Sequence, residues 1–132
     1  MLRAMLRHRE GFTVIELLIV VVIIGILAAI AIPKFANNKS KQYQTAMKSD
    51  LRKLVTAQEA YFADSSKYAT SVTQLKFQSS PGVSAPAITT GQGSWTATVT
   101  HSQLPGVVCS VGVNTANPTL GASATENEPA CK

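Results

Sequence analysis

Hydrophobic and polar positions follow two different patterns along the chain. From Phe12 to Pro33 the apolar character goes all the way round, with 18 of 22 residues hydrophobic and no charge in Leu17–Ile32 (LLIVVVIIGILAAIAI). Beyond Pro33 it narrows to a stripe. Tyr43, Met47, Leu51, Leu54, Gln58 and Tyr61 step by four, four, three, four and three, and Val55 and Phe62 widen the line. Lys41, Lys48, Arg52, Lys53 and Glu59 lie mostly off it. This period is helical and predicts one helix from about Thr13 to Ala63, hydrophobic in its first half and amphipathic in its second. Gly25 lowers helix propensity and Pro33 removes the bond to the Ala29 carbonyl, which predicts a soft spot at the first and a bend near the second.

The period then changes from helix to strand. Residues 65–93 are rich in turn formers, punctuated by Ser79-Ser80-Pro81-Gly82 and Gly91-Gln92-Gly93, with a short strand expected around Ala87–Thr89. Ser94–His101 (SWTATVTH) alternates Trp95, Ala97 and Val99 with threonines, the pattern of a strand with one buried face. A turn at Ser102-Gln103-Leu104-Pro105 leads to a second strand, Gly106–Val113 (GVVCSVGV). The expected fold is α+β: a long N-terminal helix packed on a small C-terminal antiparallel sheet, with Trp95 as core anchor.

Composition sharpens this picture. The 132 residues are 45% hydrophobic, an ordinary average that hides a membrane-grade segment. A uniformly soluble globule and a multi-span membrane protein are both excluded. So are two full-size domains, since about 70 residues follow the helical region and domains rarely fall below ~50. Extended back to Phe12, the apolar run covers ~33 Å as a helix, enough for a bilayer core of ~30 Å.

Charge brackets this span. Arg3, Arg7 and Arg9 against Glu10 put +2 in the first eleven residues, Glu16 places −1 inside the run, and Lys34–Asp64 carries +3 of the overall +5. The positive-inside rule then sets the N-terminus in the cytoplasm and the rest beyond the inner membrane. An ordinary secretory signal fits less well. Ala28-Ala29-Ile30-Ala31 passes for a cleavage site, but the apolar run is too long and helical character continues past it. Glu16 has no place in a discarded signal, because ionisable groups at membrane depth are unfavourable and mark function.

The leader, Gly11-Phe12-Thr13-Val14-Ile15-Glu16 and the unbroken apolar helix together resemble the class III signal of type IV prepilins and pseudopilins. The resemblance is strong over residues 1 to about 64 and holds in outline beyond. It implies removal of residues 1–11 by a membrane aspartyl prepilin peptidase, cutting between Gly11 and Phe12, and N-methylation of Phe12. The mature chain would keep 121 of the 132 residues. Residues 12–33 would be membrane span and then filament core, 34–64 the amphipathic helix, and 65–132 the globular head.

Phe12, Thr13 and Glu16 would serve assembly, with the Glu16 carboxylate meeting the new Phe12 ammonium of a neighbouring subunit or of its own. Each charge is costly alone in a dry filament core and tolerable as a pair. Pro33 falls where the family carries a bending proline, and the resemblance implies that Gly25–Pro33 loses helical order in the filament. The implied partners are further copies of the chain, the peptidase, the inner-membrane assembly platform and, before assembly, the lipid bilayer.

Cys109 and Cys131 are the only cysteines. In an exported head a disulfide is the default, pinning the tail Asn114–Ala130 to the last strand and stabilising by ~3 kcal/mol. The resemblance adds that such a loop forms exposed surface in pilins. No cofactor or metal site is expected, since two cysteines with His101 are too few ligands and Glu126 with Glu128 make no calcium site. The aromatics Phe12, Phe35, Tyr43, Tyr61 and Phe62 read as packing residues rather than an electron path. The lysines read as a solvated face more readily than a DNA-binding one, and Asn38-Lys39-Ser40 is a sequon discounted on a helix. Pseudopilins of secretion systems usually carry an Asp-Pro-Trp-Gly-like string, absent here, so the pilin reading leads. No nucleophile–base set or paired carboxylates suggests a tethered enzyme.

Overall fold

The computed structural model describes residues 11–118 and 127–132, and the chain divides into two compact units at Asn37/Asn38. The basic leader (Arg3, Arg7, Arg9, Glu10) and Glu126 lie outside the described residues. One helix, α1 (Val14–Ser65), has bounds within two residues of the predicted ones. It is helical without interruption through Gly25 and Pro33.

In the first unit, fifteen large apolar side chains from Phe12 to Ile32 are between 45% and 84% exposed. Burying each one contributes ~1.5 kcal/mol or more, on the order of 20 kcal/mol together. That exceeds the whole stability of an ordinary domain, ~5–15 kcal/mol. Such a surface needs lipid or protein around it.

The second unit is a two-layer head. Four strands, β1 (Ala87–Thr90), β2 (Trp95–His101), β3 (Leu104–Val113) and β4 (Ala130–Cys131), pair antiparallel in the order β1-β2-β3-β4. Met47, Leu51 and Leu54 of α1 are fully buried against Trp95, Ala97 and Val99 of β2 and Cys109, Val111 and Val113 of β3. The helical stripe and the strand alternation thus meet in one core, and Trp95 is its largest fully buried side chain.

The other face of β3 is covered too. Ser110 is buried and bonded to Asn117 of the returning chain, whose Nδ2 also donates to the Ser110 carbonyl at 3.0 Å and the Glu128 carbonyl at 3.4 Å. A Cβ on Gly112 would stand 2.8 Å from the Thr115 carbonyl oxygen, so only glycine admits this return. The end of the tail then pairs as β4, a strand too short to carry a sequence period. Val108 and Lys132 exchange N–H···O bonds at 2.9 Å, which makes Cys109 and Cys131 a non-hydrogen-bonded pair with side chains close together. They form the disulfide.

One boundary needs correction. Leu104 and Pro105 were expected in the turn but open β3, with Leu104 opposite His101. The register shifts between Thr100 and His101, and Pro105 falls in the irregular stretch with no register partner. Proline is tolerated in a strand at such a place, where its missing N–H interrupts no ladder.

Two buried polar side chains on α1 tie down the connection to the sheet. Gln58 donates from Nε2 to the Ala69 carbonyl at 2.9 Å and accepts the Ala69 N–H at 2.8 Å. Asp50 accepts from the Ser80 N–H at 2.6 Å and the Ser80 hydroxyl at 2.7 Å. Gln58 holds a place on the apolar stripe because its burial is repaid by two bonds. Replacing Gln58 with Leu keeps its volume and strands both Ala69 groups, and the head should lose about 2–4 kcal/mol in urea unfolding followed by near-UV circular dichroism. A loss under about 1 kcal/mol would show that water satisfies Ala69 instead.

Candidate functional site at the start of the helix

A helix begins with main-chain N–H groups that have no partner inside it. At the start of α1 two side chains supply partners. Thr13 precedes the first helical residue, and its carbonyl accepts the Leu17 N–H at 3.3 Å. Its hydroxyl oxygen accepts the Glu16 N–H at 3.3 Å. Glu16 reaches back, and its Oε2 accepts the Thr13 N–H at 2.9 Å and the Thr13 hydroxyl at 2.6 Å. This reciprocal arrangement is a capping box, with Thr13 as the N-cap and Glu16 as the third helical residue.

The box has two consequences. It ends the helix at Val14, leaving Gly11, Phe12 and Thr13 non-helical and exposed. Among the described residues, nothing lies within 4 Å of a Cβ built on Gly11. Both Thr13 bonds also converge on Oε2, and Oε1 takes neither. The negative carboxylate at the N-terminus suits the helix dipole as well.

Thr13-x-x-Glu16 is a capping-box spacing legible in the sequence, and it gives residues expected to serve assembly a local structural role as well. The other expected site residues lie apart from the box. Gly25 is on α1, where an added Cβ would meet open space, and Pro33 is eight residues further along the same helix. Cys109 and Cys131 belong to the other unit. Among the described residues no three His, Cys, Asp or Glu side chains gather as metal ligands.

A long apolar-to-amphipathic helix with a small antiparallel sheet is the type IV pilin fold. The pattern described as the prokaryotic N-terminal methylation motif matches residues 6–32. The chain is 44% identical over 70 residues to the type IV major pilin protein PilA of Myxococcus xanthus, covering 53% of this chain and 32% of that one. It is 36% identical over 98 residues to a fimbrial protein of Pseudomonas aeruginosa, covering 74% of this chain and 64% of the relative. It is 39% identical over 64 residues to type II secretion system core protein G of Aeromonas hydrophila, covering 48% and 45%. The chain thus spans from about a third to just under two thirds of these relatives. Fold, motif and relatives together support a type IV pilin or pseudopilin.

The cap itself is testable. Thr13→Ala in the detergent-solubilised chain should lower hydrogen-exchange protection of the amides in the first two turns of α1 by roughly fivefold, the equivalent of about 1 kcal/mol. Thr13→Ser should restore it. Equal protection in all three proteins would remove the cap's structural role.

Proposed function

We propose that the chain is a structural subunit, processed and N-methylated at its leader junction and polymerised through its apolar helix into a type IV pilus. Residues 1–11 are the leader, and cleavage falls between Gly11 and Phe12. Before assembly, residues 12–33 lie in the inner membrane with the N-terminus cytoplasmic. After assembly, the same surface lies against other subunits and the head is displayed outside the cell. The observation that carries this reading is the apolar stretch Phe12–Ile32, with fifteen exposed large apolar side chains and one carboxylate, Glu16, that is already half engaged.

Glu16 acts as a register key in this scheme. The Phe12 ammonium created by cleavage, on a neighbouring subunit, pairs with the Oε1 that the cap leaves free. A misaligned subunit would bury both charges unpaired, which is strongly unfavourable in a dry core. Gly25 and Pro33 are the points at which the helix yields during packing. The head has no part in catalysis.

A pilus is favoured over a secretion pseudopilus by the extent of the likeness. The match to the fimbrial protein takes in 98 residues, more than the 65 up to the end of α1, so it reaches into the head. The match to core protein G takes in 64 residues, which the region before the head can hold. The Cys109–Cys131 disulfide and the absence of an Asp-Pro-Trp-Gly string add to this.

Mass spectrometry of filaments sheared from cells producing the chain should find it abundant, beginning at N-methylated Phe12. Finding it only in membranes, or cut after Ala31, would overturn the reading. Glu16→Ala should be cleaved normally yet give few filaments. Normal piliation in that variant would remove the register key while leaving the processing site intact.

A further inference from the structure

Charge along α1 is sorted by sign, and the sorting begins where the apolar run ends. Residues 34–49 carry Lys34, Lys39, Lys41 and Lys48 and no Asp or Glu. Residues 50–67 are mixed, with Asp50, Glu59 and Asp64 against Arg52, Lys53 and Lys67. Lys34, Lys39 and Lys41 are exposed, and Lys48 is half-buried. Among the described residues, the ion pair that α1 makes is Lys53 with Asp50 at 3.4 Å, inside the mixed stretch. The carboxylates flanking the lysines along the chain are Glu16, beyond the apolar run, and Asp50, fully buried and bonded to Ser80.

A solvated helix face ordinarily interleaves the two signs, because opposite charges three or four residues apart attract and like charges repel. Residues 50–67 follow that rule and residues 34–49 do not. The exception adjoins the apolar run: Lys34 is two residues past Ile32, Lys39 seven and Lys41 nine. A headgroup layer is ~5–8 Å deep on each side of a bilayer, about three to five helical residues. Lys34 falls within that depth, and Lys39 and Lys41 follow within about a turn of its edge. Helical side chains lean toward the N-terminus, and a lysine stem carries its ammonium several Å further. On the outer flank of a span, that direction is back toward lipid. Phe35, 67% exposed among these lysines, adds the apolar side chain that interfacial helices combine with basic ones.

We propose that Lys34, Lys39 and Lys41 each bind acidic phospholipid headgroups of the outer leaflet while the subunit is held in the membrane. The proposal rests on the reading of residues 12–33 as a membrane span. Headgroup phosphates supply the anionic partners that residues 34–49 lack, and Phe35 enters the acyl boundary beside them. These contacts set how deep the span sits, and a subunit leaving for a filament gives them up.

The test offers the full chain, in a neutral detergent, equal amounts of phosphatidylglycerol and phosphatidylcholine with the same acyl chains. Bound lipid is counted by native mass spectrometry at low ionic strength. The chain should prefer phosphatidylglycerol, and Lys34→Gln, Lys39→Gln and Lys41→Gln together should lower that preference about tenfold. The triple variant Lys67→Gln, Lys76→Gln, Lys132→Gln loses the same charge in the head and should keep the wild-type preference. An unchanged preference in the first triple variant would overturn the proposal. So would an equal loss in the second, which reports net charge alone. Duplex oligonucleotide binding that the first variant loses, with no lipid preference in the wild type, would assign the lysines to nucleic acid instead. Flotation with phosphatidylcholine vesicles separates the proposal from its foundation. A chain that does not float removes the span reading and the headgroup contacts with it. A chain that floats yet shows no preference keeps the span and overturns the contacts.

Discussion

A sheet of four strands, two of them no longer than four residues, has little stability of its own, so the head rests on one face of a helix. Met47, Leu51 and Leu54 supply that face, and Trp95, Ala97 and Val99 close on it. Because the same helix carries the exposed apolar segment upstream, one continuous secondary structure bears two very different surfaces. The helical main chain makes this possible. It satisfies its own hydrogen bonds at every turn, so only the side chains change when the surroundings do. The change falls where the stripe replaces the all-round apolar pattern.

Around that face, polar side chains do what the apolar ones cannot. Hydrophobic burial is indifferent to direction, so packing Tyr68, Leu75, Phe77 and Val83 on the core does not by itself fix the path of the long connection between α1 and β1. Gln58 and Asp50 reach from the helix to Ala69 and Ser80 and set the path of the connection at two points. Asn117 does the same for the returning tail, linking Ser110 to Glu128 so that Cys131 comes opposite Cys109. The disulfide joins the same pair that these hydrogen bonds hold opposite each other.

The elements with a period were legible. The helix, the strand beginning at Trp95 and the body of the second strand are each long enough for their side-chain repeat to be read, and Trp95 stood out as the large residue on an inward position. What escaped had no period. Residues Ala130–Cys131 form a strand only because β3 offers an edge. Leu104 and Pro105 carry turn chemistry and are drawn into a strand by the irregular pairing beside His101. Asp50 looks like one charge on a solvated face, and its partner lies thirty residues away in sequence. Gln58 was placed correctly on the stripe while its two bonds could not be seen. At the candidate site, the Thr13-x-x-Glu16 spacing carries two meanings at once, a family signature and a local helix cap.

The cap changes how the charge at membrane depth is best understood. A bare carboxylate moving from lipid into a subunit interface would have to be stripped and re-solvated, with a barrier at the point where it belongs to neither. Glu16 brings its solvation with it: the Thr13 amide and hydroxyl belong to the same helix and move with it. If the chain enters a filament as proposed, Oε1 can gain a partner while Oε2 keeps both of its Thr13 bonds.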